Sequence, residues 1–197
     1  MPLTARTLLA LSLALPATYA ADTAKEPAKA PFPAESKVAF DVALHAWQFE
    51  QVRDMAELMD KTCRQHASTA VSSQASAEKQ AMIDVLEKQY PGIQSRIKDI
   101  RSHTPDNINA LIASQSRGMF DPFKEFLAKM ANDKQLSDKM CTEFAASWKK
   151  DTVAANDLFG LSPQQFSQMH TIDMADFRSK VVKIDLPTAL PGKKAKP

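Results

Sequence analysis

The sequence predicts an all-α fold, an irregular bundle of about six helices stapled by one interhelical disulfide. Three observations predict it. Glycine occurs only four times in 197 residues, and no proline falls between Pro33 and Pro91, so the first long segment carries no backbone breaker. Apolar residues recur at helical spacing along most of the chain. The two cysteines, Cys63 and Cys141, fall on two of the predicted helices.

The chain opens on MPLTARTLLALSLALPATYA, which has the layout of a secretory leader. Arg6 supplies the positive end, Leu8 to Leu15 the apolar run, and Thr18-Tyr19-Ala20 a small-x-small cleavage site. Cleavage near Ala20 would release a periplasmic or secreted protein. The apolar run is too short to span a bilayer, and no cysteine follows the site to take a lipid, so no membrane anchor is expected. Residues 21–36 are rich in alanine, lysine and proline without a periodic apolar face, and read as a flexible tether. Residues 37–186 read as a single helical domain, and 187–197 as a basic disordered tail carrying Lys193, Lys194 and Lys196.

Within the domain, Val38, Val42, His45, Phe49, Val52, Ala56, Met59, Cys63, His66 and Ala70 step alternately by four and three, one face of a long helix. Phe40, Leu44, Trp47, Met55 and Leu58 widen the apolar sector, so neighbours should cover this helix on two sides. The small polar stretch Ser68 to Ser76 fits either a helix end or a loop. Met82, Val85, Leu86 and Gln89 mark a second helix that should stop or kink before Pro91. Ile93, Ile97 and Ile100 mark a third. Thr104-Pro105, Asp121-Pro122 and Ser162-Pro163 each put a capping side chain before a proline suited to the first helical position. They predict helices near 105–117, 122–131 and 163–169, and Ser162 with Gln165 has capping-box spacing. Leu136, Met140, Cys141, Phe144, Trp148 and Ala155 form the inner face of another long helix, closed near Gly160. The end, Val181 to Pro187, alternates weakly and reads as extended.

A formal charge of +2 removes the electrostatic argument for nucleic acid. An oxidising compartment favours pairing of Cys63 with Cys141, and closing a loop of nearly eighty residues contributes roughly 4 kcal/mol. Met59, Cys63 and His66 lie on one helical face at i, i+4 and i+7, and thioether, thiolate and imidazole suit a soft ion such as Cu(I). A disulfide would consume that thiolate.

His103 and His170 each sit at a predicted helix end, where the helix dipole accounts for them. Glu50, Asp54 and Glu57 read as a solvated face with ion pairs at four-residue spacing, as do Asp84 with Lys88 and Glu125 with Lys129. Nucleophile motifs, glycine-rich phosphate loops and paired-cysteine zinc spacing are not found in the sequence. The aromatic segment 118–130, with Phe120, Phe123 and Phe126, is either core or a patch that binds a protein partner. The expected function is a non-enzymatic, cofactor-free protein-binding module, such as a toxin inhibitor, an immunity protein or a chaperone-like accessory factor. The alternative is a periplasmic copper-binding protein using Met59, Cys63 and His66.

Overall fold

The structure, a computed structural model, describes residues 34–154 and 157–184, with the side chains of 34–35 and 115–121 outside the description. The described residues form seven α-helices: α1 (Ala34–His66), α2 (Thr69–Gln89), α3 (Ile93–His103), α4 (Asp106–Ala131), α5 (Lys134–Ala154), α6 (Pro163–Thr171) and α7 (Met174–Val181). The all-α class holds; the described residues alone form seven helices against the about six expected. The leader (1–20), most of the tether (21–33) and the basic tail (187–197) lie outside the described residues.

The central helix is α1, which touches all six others. Its inward row, Ala39, Val42, Ala46, Phe49, Ala56, Met59 and Cys63, is almost completely buried and recurs every three or four residues apart from the step across the half-buried Val52. Alanine at 39, 43 and 46 lets neighbouring backbones approach closely, whereas Trp47 and Phe49 fill the space beyond. Helix α1 begins at Ala34, so the last three residues of the expected tether are already helical, and Ser36 Oγ reaches the carbonyl of Lys180 at the end of α7. The ambiguous stretch Ser68 to Ser76 is resolved as helix: Ser68 is the N-cap of α2, and Ser72 and Ala75 are buried within it. Small residues there allow α2 to lie along α5, the most extensive helix pair in the fold.

Two expected breaks behave differently. Thr104 closes α3, its hydroxyl donating to the Ile100 carbonyl, and Pro105 rather than Thr104 is the N-cap of α4. Farther on, Asp121-Pro122 starts no helix, because α4 runs unbroken through Gly118 and Pro122. An internal proline costs about 3 kcal/mol through its lost hydrogen bond and ring clash. The same helical face buries Ile108 and Ile112 before the proline and Phe123, Leu127 and Met130 after it. Burying such side chains is worth about 1.5–3 kcal/mol each, so packing outweighs the local preference.

The Ser162 cap is present as a complete capping box: its hydroxyl accepts from the Gln165 amide, and its own amide donates to Gln165 Oε1 at 2.8 Å. Just before it, Leu158 and Leu161 pair across a tight turn in which Phe159 (φ 50) and Gly160 (φ 71) are both left-handed. For phenylalanine that conformation costs about 1–2 kcal/mol. Its ring is 3% exposed and meets Phe49 edge-on at 5.3 Å, which offsets the cost. The segment expected to be extended begins inside α7, which ends at Val181; Ile184 is buried beyond it, and 185–187 lie outside the described residues.

Candidate functional site

Polar chemistry concentrates where α1 ends, α2 begins and α5 passes. Cys63 and Cys141 form a disulfide with a Cα–Cα distance of 5.9 Å, and both are fully buried. It fixes the last turn of α1 to the middle of α5. On the same side, Asp138 of α5 accepts from the backbone amide of Ser68 at 2.5 Å, capping the start of α2 with a carboxylate from another helix.

One turn before Cys63, Asp60 points inward with its side chain 1% exposed. Lys79 of α2, 9% exposed, donates to Asp60 Oδ2 at 2.7 Å and to Glu57 Oε2 at 2.8 Å. Ser76 donates to the other Asp60 oxygen, and Arg64 also donates to Oδ2. Burial by itself would raise the Asp60 carboxyl, but the hydrogen bonds from Lys79 and Ser76, the charge of Lys79 and the hydrogen bond from Arg64 outweigh it and hold the group below the usual carboxylate range. For Lys79 burial pulls downward, while Asp60 and Glu57 hold the ammonium above its ordinary value. The pair is therefore fully ionised near neutrality. A buried carboxylate with both oxygens engaged by three donors is well placed to fix two helices in register.

Neither Asp60 nor Lys79 stood out in the sequence, although a signal was present. Asp60 continues the inward row between Ala56 and Cys63, and Lys79 continues the buried row Ser72, Ala75, Met82, Leu86. A single acid and a single base at inward positions of consecutive helices is the pattern of a buried pair. The solvated-face reading also shifts, because the ion pairs join helices: Glu57 binds Lys79, and Glu50 binds Arg101 of α3 at 2.9 Å. Asp84 accepts from Gln80 rather than standing beside Lys88.

Two residues of the expected copper set belong to the core and the staple. Met59 is a fully buried core residue, Cys63 is bonded to Cys141 and has no thiolate to offer, and His66 is half-buried. No group of three or more His, Cys, Asp or Glu residues able to hold a metal occurs among the described residues. In the aromatic segment, Phe123 is 8% exposed and Phe126 is half-buried against the core. The side chain of Phe120 lies outside the described residues. The surface of this stretch presents Pro122, Lys124, Glu125, Ala128 and Lys129 instead.

The remaining histidines have local roles. His103, in the last turn of α3, contacts Ser102 Oγ, the Asp99 carbonyl and Asp99 Oδ1, all through Nδ1. A nucleophile relay needs both ring nitrogens, one for each partner, so this cluster is not one. His170, in the last turn of α6, faces the Pro91 carbonyl through Nε2 and the edge of Tyr90, whose hydroxyl donates to the Pro163 carbonyl. His45 is different: its Nδ1 is buried with no hydrogen-bond partner among the described residues. Burial holds it below the usual histidine value, with Lys37 adding to the effect and Asp41 opposing it.

This arrangement defines a class by construction, a disulfide-stapled all-α protein whose buried polar chemistry joins helices. No family model matches the chain, and no curated protein or solved structure matches it.

Proposed function

We propose that the chain is an exported, non-enzymatic helical module that binds another protein, in the manner of an inhibitor, an immunity partner of a toxin or a chaperone-like accessory factor. The observation that carries the reading is the buried Cys63–Cys141 disulfide, a bond of the kind that oxidising compartments favour, which is compatible with the leader-like start of the sequence. Its placement supports a binding role. Together with the Asp60–Lys79 pair it removes freedom from three helices at once, and a surface that is rigid before binding loses less entropy on association. Three of the carboxylates of α1 are engaged in structure: Asp60 accepts from three side-chain donors, and Glu50 and Glu57 are paired across helices.

Recovery of the tagged full-length chain from the native exported fraction tests the proposal. A stoichiometric protein partner that also co-migrates with the purified chain in size-exclusion chromatography is the expected result. Repeated recovery of the chain alone, under conditions where it is folded and oxidised, overturns the reading. Export is tested separately by the amino terminus of the recovered protein, expected near Ala21.

A further inference from the structure

The disulfide and the buried ion pair occupy one corner of the bundle. Cys63 and Asp60 are a single turn apart on α1, and both are fully buried. Over that turn α1 is held to α2 by Lys79 and Ser76 and to α5 by Cys141. The start of α2 is held to α5 through Ser68 and Asp138. A reductant must touch a sulfur atom, and that requires the three helices to part at this corner.

We propose that the Asp60–Lys79 pair is the latch on the Cys63–Cys141 disulfide, so that acid, by neutralising Asp60, opens the corner and exposes the bond to reduction while the rest of the bundle stays folded. The charged groups that face Asp60 are Lys79 from α2 and Arg64 from α1, with Glu57 behind Lys79; Asp138 of α5 is engaged at Ser68. Protonated Asp60 leaves the Lys79 ammonium 9% exposed with only the half-exposed Glu57 beside it, an arrangement that favours separation of α1 from α2. Because the carboxyl is held low only while the corner is closed, opening takes up one proton. The open fraction therefore grows as pH falls below the ordinary aspartate range, by up to about tenfold per pH unit, the limit for a single proton.

The reagent that reads this is a water-soluble trialkylphosphine, which works in acid. The phosphine attacks one sulfur and the Sγ–Sγ bond breaks; water supplies the oxygen of the phosphine oxide and the two protons of the thiols. Phosphorus is oxidised by two electrons and the disulfide is reduced by two. Reduction of the intact chain is followed from pH 7 to pH 3, each rate divided by that of the denatured chain at the same pH. The expected result is a flat profile above about pH 5 and acceleration below about pH 4, where an exposed aspartate begins to protonate. Ser76→Ala, which removes one donor from Asp60, should raise the rate at neutral pH by about tenfold, the effect of losing one hydrogen bond to a charged group. Phe177→Leu, in the core at the other end of α1, serves as a comparison of similar global destabilisation and should leave the rate within about twofold of the starting protein. Equal acceleration in Ser76→Ala and Phe177→Leu overturns the latch, because opening would then be global. A profile that stays flat down to pH 3 overturns it as well. The Phe177→Leu comparison and the unmodified chain's own profile decide the matter even where an Asp60 variant fails to fold.

Discussion

Replacing Lys79 with methionine isolates the energetics of the buried pair. The substitution keeps the length of the stem and removes the ammonium that donates to Asp60 at 2.7 Å and to Glu57 at 2.8 Å. Glu57, half-exposed, recovers its interactions with water, so little is lost on that side. Asp60 cannot do the same at 1% exposure; it retains Ser76 and Arg64, and the Arg64 side chain is 60% exposed, which weakens its attraction by screening. Breaking a buried pair by deleting one partner costs about 3–5 kcal/mol, and the two surviving donors place Lys79→Met near the lower end. For a domain of this size about 3 kcal/mol lowers Tm by roughly 6–12 °C. The double variant Asp60→Leu/Lys79→Met removes both charges and fills the space with apolar volume, and should return to within about 1 kcal/mol of the starting protein. Chemical denaturation of the four proteins of this cycle, all oxidised, gives the coupling directly. Additive losses, or a Lys79→Met variant within about 1 kcal/mol of the parent, would refute the view that the pair is buried and mutually dependent.

Other outcomes follow from single features. Thiol titration of the denatured, unreduced protein should find no free thiol, and Cys63→Ala/Cys141→Ala should lose up to about 4 kcal/mol of unfolding free energy; two free thiols would remove the staple from the fold. His45 is held below 6.5 in the folded protein, so the unfolded chain binds more protons in that window, and stability is complete above pH 6.5 and lost as pH falls through the folded value. His45→Leu should flatten this part of the pH–stability curve, and an unchanged slope would show that His45 is not its source. Gly92, at φ 75 with open space where a Cβ would stand, should tolerate alanine sterically and lose only the about 1–2 kcal/mol of left-handed strain, with Gly92→Asn losing less in thermal melts. Ser162→Ala should cost about 1 kcal/mol by removing the hydroxyl half of the α6 capping box.

What could be read beforehand was whatever a single helix decides for itself. The α1 seam from Val42 to Cys63, the isoleucine row of α3, the α5 face from Met140 to Trp148 and the Ser162 capping box follow from spacing within one segment and appear in the fold, whereas Val38 and Leu58 are exposed and Ala155 lies outside the described residues. The disulfide was legible for a different reason, because only one pairing of two cysteines exists. Features decided between helices were misread. Asp121-Pro122 has a local preference to begin a helix, but the apolar row from Ile108 to Met130 continues across it and prevails. Ser68 to Ser76 is weakly apolar, and it is helical because α5 lies against it. Asp60 and Lys79 are ordinary surface residue types, and only the joint inward placement of the two rows marks them. The short α7 was missed because its two buried anchors, Phe177 and Val181, are too few to establish a period.

The chemistry that holds α1 changes along its length, and this bears on what the molecule can do. At its start Ser36 bonds the end of α7; in the middle Phe49 meets Phe159 and Phe166 while Glu50 pairs with Arg101; at its end the disulfide and the Asp60 network take over. These attachments respond to different conditions. Apolar packing around Phe49 is insensitive to acid and reductant, whereas the final two turns respond to both. Under the proposed latch, reductant and strong acid act on the α1–α2–α5 corner before the aromatic centre, whereas His45, one turn before Phe49, responds to milder acid. Under the proposed binding role, a partner that contacts that corner would feel those conditions, and one that contacts the α3–α6–α7 side would not. Affinity measured with and without the disulfide therefore reports which side of the bundle the partner occupies.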